Sequence, residues 1–256
     1  MAAYAFVQPP LAWLAIKSGN PIRVDYYALL VATLAASAIM LRSIDRRGWD
    51  AIDFTRTTAG RRPLLVGWCL GGVPIGVACA AMLATGLLYF VPSTTDGSWI
   101  GAAIRTTLVL LPAALAEELI CRGYLLTVVR DSVGDRAAVL STSALFGIIH
   151  VVNPGATVLS VMVVLLAGIF LATVRLALNS LYAAWMAHFA WNWVIAVLFH
   201  AKVSAIEFES PLYKAVTSGP AWLSGGEWGP EGGIIAALGI VGGLAYIYTR
   251  RRRGES

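Results

Sequence analysis

Charge is scarce in this sequence. Only 13% of its 256 residues are Asp, Glu, Lys or Arg, against about 25% in an ordinary soluble domain. That shortage excludes a disordered chain and a charge-laced coiled coil. Cysteine is scarce too. Cys69, Cys79 and Cys121 sit in apolar stretches, without Cys-x-x-Cys or Cys/His finger spacing. A disulfide-stapled scaffold and a zinc finger are therefore excluded, and the cysteines do not reveal the compartment. No sequence repeat is seen. What the chain has instead is grease: 58% of its residues are hydrophobic. The expectation is an all-α fold, a polytopic membrane helix bundle forming a single integral membrane domain over 1–256.

A membrane-crossing helix needs about 20 mostly apolar residues. Seven segments are candidates: 26–41, 64–91, 107–129, 137–152, 157–174, 180–199 and 233–249. Residues 1–25 are apolar but lack a basic leading region, and Pro9-Pro10 interrupts them, so they read as an interfacial or re-entrant segment. Residues 200–232, rich in Gly, Ser, Pro and Glu, read as an extracytoplasmic loop. Small-xxx-small spacings at Gly72/Gly76 and Gly239/Gly243 suit close helix approach.

The net charge of +5 would suit nucleic acid in a soluble protein. Here it tracks topology. Arg42, Arg46, Arg47, Arg56, Arg61, Arg62, Arg130, Arg136, Arg175 and Arg250 to Arg253 all fall on one side of the seven spans. The positive-inside bias then puts the N-terminus outside and the C-terminus in the cytoplasm, as in a bacterial-type inner membrane. The expected partners are membrane lipid and a membrane-associated protein or peptide, with no nucleic acid.

The exceptions are ionisable residues inside spans, which cost roughly 2.5–3.5 kcal/mol each on insertion scales and are functional candidates by default. The third span carries Glu117, Glu118 and Arg122. The fourth carries Phe146 and His150, and the sixth His188 and Asn192. Glu118/Arg122, Phe146/His150 and His188/Asn192 are i,i+4 pairs, so each pair shares a helix face. At about 1.5 Å per residue, Glu117 and His150 lie roughly 20 Å from the basic boundary and His188 roughly 12 Å. Three helices therefore bring polar groups to overlapping depths. Pro112, one turn before Glu117, suits a local opening of its helix. Each residue also has a plain structural reading: Glu118–Arg122 as a neutralising ion pair, His150 as a loop-bonded helix end, Asn192 as interhelical glue, Phe146 and Cys121 as core. His200, at a span edge, reads as incidental.

Glu117-Glu118-x-x-x-Arg122, Phe146-x-x-x-His150 and His188-x-x-x-Asn192 together resemble the three ordered motifs of the CAAX-protease and bacteriocin-processing family. The motif-bearing core covers about 107–195. The resemblance implies an intramembrane endopeptidase, with Glu117 as general base acting with His150 on water. His188 and Asn192 would stabilise the oxyanion, and Glu118 and Arg122 would hold the site in shape. The family has been described both as metal-dependent and as glutamate-type; no cofactor and a glutamate-type mechanism are favoured here, with zinc the alternative. A zinc version would use Glu117, His150 and His188, though no His-Glu-x-x-His motif is present. Substrates compatible with the resemblance are a C-terminal sorting tag, a peptide leader or a CAAX-like tail. Two other functions fit intramembrane Glu, His and Arg: a proton-coupled transporter and a non-catalytic immunity or scaffold protein.

Overall fold

The computed structural model describes residues 24–254. The expected interfacial segment 1–25 lies almost wholly outside the described residues. The rest is a polytopic helical bundle. The helices are α1 (Val24–Ile39), α2 (Arg61–Ala84), α3 (Trp99–Glu118), α4 (Leu125–Val133), α5 (Asp135–Ile149), α6 (Val158–Leu178), α7 (Leu181–Trp193) and α8 (Ile234–Arg252), with β1 (Leu88–Pro92) and β2 (Tyr213–Thr217) as a two-stranded antiparallel ribbon. Five helical stretches are long and apolar enough to cross a membrane: Asp25–Ile44, Arg61–Ala84, Trp99–Val133, Val158–Leu178 and Leu181–Leu198. The apolar stretch Ile234–Arg250 and the 15-residue α5 are shorter. These seven helical regions correspond to the seven segments expected from hydropathy.

Two ends differ from expectation. The second span stops at Ala84, not at residue 91. Thr85 closes α2, Gly86 takes φ +74°, and Leu88–Pro92 pairs with Tyr213–Thr217. A run of aromatic and β-branched residues after a left-handed glycine favours a strand over one more helical turn. The third span starts earlier, at Trp99, where the Ser98 side chain caps the helix by accepting from the Gly101 N–H. Arg105, which marks a span edge in the sequence, sits within α3 and pairs with Glu209.

The tightest seam is α2 against α7. Gly67 and Gly71 lie directly on the backbone of Ala183 and Ala187, where any Cβ would collide with a carbonyl. The expected close approach at Gly72 is looser, since a Cβ there would make ordinary contact with Val194 and Ala190. Gly239 and Gly243 do pack closely, on Pro74 and Phe170.

Pro112 leaves α3 intact. Proline lacks the N–H that would bond the carbonyl four residues back. That carbonyl, of Leu108, instead accepts the Tyr27 hydroxyl of α1 at 2.7 Å. Next to it, the Leu111 carbonyl accepts Trp185 Nε1 of α7 at 2.9 Å. The proline thus gives α3 one free acceptor, the Leu108 carbonyl, for α1 just before Glu117.

On the side where the arginines cluster, the segment after α1 is stapled to the bundle. The fully buried Arg175 reaches Asp53 at 3.3 Å and donates to Thr127 at 3.1 Å. The Asp53 carbonyl accepts the Leu181 N–H, and Ser180 Oγ donates to the Thr58 carbonyl. At the other end, residues 200–232 do not stay out in solvent. They form β2 and a series of short turns, and Trp228 is buried against Cys121, Phe146 and Val164. Cys121 is thereby a packed hydrophobe, and the three cysteines are free.

Candidate active site

The site begins where α3 ends. After Glu118 the chain enters a wider, π-type turn, Leu119–Tyr124, with a kink at Gly123 (ψ −111°). Such turns are found often at functional sites. Arg122 lies within this turn, and its guanidinium is fully buried. It donates to Glu118 Oε1 at 3.2 Å and to the Gly168 carbonyl of α6 at 3.1 Å. Its cationic face lies 4.1 Å from the centre of the Phe146 ring. Gly168 is open to this contact because α6 approaches α5 closely there, with Ser143 directly opposite. Arg122 therefore ties α3, α5 and α6 into one layer.

Glu118 extends that layer to α7. Its Oε1 also accepts His188 Nδ1 at 2.9 Å. Glu118 is itself 0% exposed. The neighbouring Glu117 turns the other way, into a cavity of about 110 Å³, with its side chain 25% exposed. Two imidazoles face its Oε2 atom, His150 Nε2 at 4.0 Å and His188 Nε2 at 3.9 Å.

Both rings are held from behind. His150 Nδ1 lies 2.7 Å from the Phe146 carbonyl, which can only accept, so that nitrogen carries the proton. His188 Nδ1 donates to a carboxylate in the same way. Each neutral ring then presents an unprotonated Nε2 to Glu117. Phe146 packs against both rings, at 4.7 Å from His150 and 5.8 Å edge-on from His188. Asn192, one turn beyond His188, lines the same cavity.

All seven residues singled out in the sequence thus lie at or against one cavity. Two roles become more definite. Phe146 contacts the cation and both imidazoles, so it is more than core filler. Glu118–Arg122 is an internal ion pair, and it also orients His188. His200 stands apart, buried edge-on against Tyr213 at 4.8 Å.

The sequence reading missed the far end of the cavity. Glu231, Ser204 and Phe208 come from the segment between α7 and α8, and Tyr26 from α1. Glu231 is buried and accepts Trp191 Nε1 at 2.8 Å. The one local signal was an acidic residue directly before an apolar helix, in Pro230-Glu231-Gly232-Gly233.

Zinc is the cation that this type of donor set could hold. The donor types suit it, and Glu117, His150 and His188 would be its ligands.

The fold and site define a class: a helical membrane protein with a carboxylate and two imidazoles converging inside the bundle. The family model for "Type II CAAX prenyl endopeptidase Rce1-like" proteins matches residues 98–194, from the N-cap of α3 to just past α7. Over that stretch the chain is similar to the type II CAAX prenyl endopeptidases. The match spans a little over a third of the chain. No curated protein and no solved structure matches.

Proposed function

We propose that this protein hydrolyses a peptide bond in a membrane-associated protein or peptide, using a water molecule activated by Glu117 and His150. The carrying observation is the convergence of His150 and His188 Nε2 on Glu117 Oε2, at 4.0 and 3.9 Å, inside a cavity. These separations are too long for direct hydrogen bonds and suit a shared water. Glu117 takes a proton from that water while its oxygen attacks the scissile carbonyl carbon. His150 Nε2 accepts from the water and aligns it. The carbonyl oxygen becomes the oxyanion, stabilised by the Asn192 amide and by His188. His188 Nδ1–H is committed to Glu118, so it donates to the oxyanion through Nε2 only as the imidazolium. Glu117 then returns its proton to the leaving nitrogen as the C–N bond breaks, giving an amine and a carboxylic acid, whose proton passes to His150 Nε2.

This reading needs no metal ion. Stoichiometric bound zinc, with turnover lost on stringent chelation and restored by zinc, would overturn the metal-free version. We place the C-terminus in the cytoplasm on the arginine distribution. A sorting tag or peptide leader suits a bacterial-type inner membrane better than a prenylated tail. The test of function is cleavage of peptides encoded near the gene by purified protein in nanodiscs. Glu117→Gln, His150→Ala and His188→Ala should each abolish cleavage while the protein still inserts and folds. Full cleavage by the Glu117 variant would sink the proposal.

A further inference from the structure

Among the described residues two carboxylates are buried, Glu118 and Glu231. They are compensated differently. Glu118 has the Arg122 guanidinium at 3.2 Å. Glu231, 8% exposed, has only neutral donors: Trp191 Nε1 to Oε2 at 2.8 Å, and the Ser204 N–H and hydroxyl to Oε1 at 2.7 and 2.8 Å. No ion pair among the described residues includes it. Lys202, close by in sequence to Ser204, is engaged by Glu227 at 3.3 Å.

Burying a carboxylate without a cation costs several kcal/mol, and hydrogen bonds from neutral groups offset only part of it. Glu231 bears that cost at the surface of the cavity that holds Glu117. Among the described residues the cavity lining includes no lysine or arginine; its charged or chargeable groups besides Tyr26 are Glu117, Glu231, His150 and His188. The three donors fix the carboxylate in place, and Oε2, with one bond, keeps acceptor capacity for another N–H. Trp191 is three residues beyond His188, so Glu231 acts about one helical turn from the reacting groups.

We propose that Glu231 is a substrate-recognition subsite for a basic side chain, arginine or lysine, placed near the scissile bond of the peptide. The inference rests on the reading that this cavity takes a peptide. It adds the substrate class: an arginine- or lysine-containing cleavage segment, whose cation completes the charge balance that Glu231 lacks.

The test measures binding without turnover, on full-length protein in nanodiscs carrying 5-fluorotryptophan, with the Trp191 ¹⁹F resonance assigned through Trp191→Phe. The probes are an acetylated, amidated hexapeptide with one central arginine and its neutral citrulline isostere. The arginine peptide should shift the Trp191 resonance saturably and bind at least about tenfold more tightly than the citrulline peptide. Glu231→Gln should erase that preference, and Ser204→Ala, which keeps the carboxylate, should retain it. Equal binding of the two peptides, or no response to either, overturns the proposal in favour of Glu231 as a structural staple only. A preference that survives Glu231→Gln but disappears in Glu117→Gln places the cation at the other carboxylate and overturns it equally. Peptide binding with the expected preference but no cleavage would count against the hydrolytic reading alone.

Discussion

The layer around Glu118 and the cavity around Glu117 are built from adjacent residues, yet their groups are satisfied differently. In the layer, Arg122, Glu118 and His188 Nδ1 bond one another and the Gly168 carbonyl, without exposure of either charged side chain. In the cavity, Glu117 Oε2 has no hydrogen-bond partner among the described residues. Glu231 has donors but no cation. The layer uses Glu118 Oε1 and the terminal nitrogens of Arg122 to hold four helices, with Glu118 Oε2 and Arg122 Nε left without a partner among the described residues, while the cavity turns Glu117 Oε2 and the two imidazoles toward open space. The difference teaches which polar residues should be separable from folding and which should not.

The largest expected effect comes from the cavity. Glu117→Gln should lower the cleavage rate by about 10²–10⁴-fold, the usual contribution of a general base. Thermal unfolding in detergent should move little, because no layer contact is lost. A variant that loses rate and fold together would break the distinction. In the layer the order reverses. Arg122→Met strands a buried carboxylate and should cost about 3–5 kcal/mol of stability. Adding Glu118→Gln to it should recover part of that loss, read as the unfolding midpoint of the single and double variants. If the double variant is no better than the single, the pair is not what makes Arg122 costly to remove.

A smaller effect tests the packing that fixes the cavity's α7 wall. Gly71→Ala drives a methyl group into the Ala187 backbone, one residue before His188. Overpacking of that kind costs about 1–3 kcal/mol. Gly72→Ala should be nearly neutral, because a methyl there meets Val194 and Ala190 at ordinary contact distance. Paired unfolding curves would check the ordering.

Much of this was legible locally. Seven apolar stretches matched the seven helical regions because hydropathy and length act within single segments. The three i,i+4 pairs marked the site because a helix puts such residues on one face. Which glycines touch was not legible: Gly67/Gly71 and Gly72/Gly76 are both pairs four residues apart within α2, and only the placement of α7 selects Gly67 and Gly71 for the tight contact. The strand at Leu88 needed its partner at Thr217, 129 residues on. Glu231 was missed for the same reason. In the sequence it is one acid in a Gly/Pro-rich loop, and its meaning comes from Trp191 and Ser204, which tertiary folding brings to it.

The smallest predicted effect contrasts His200 with the two cavity histidines. His200 follows the π-type turn Val194–Leu198 that ends the α7 helical stretch, and its carbonyl accepts the Ala215 N–H at 3.0 Å. Burial pushes its imidazole below the ordinary histidine pKa, and the Glu209 backbone opposes that only in part. The unfolded chain therefore takes up this proton first as pH falls from about 6.5. Above that pH both states carry a neutral ring, and His200 contributes no pH dependence. Below it, stability is lost progressively until the folded state is protonated too. His200→Phe should flatten that part of the stability curve between pH 7.5 and 5.5 and leave the cavity unaltered. The wild-type unfolding midpoint should then fall relative to that of the variant as the pH is lowered. If the two instead stay parallel across the window, His200 is not the group whose burial opposes protonation.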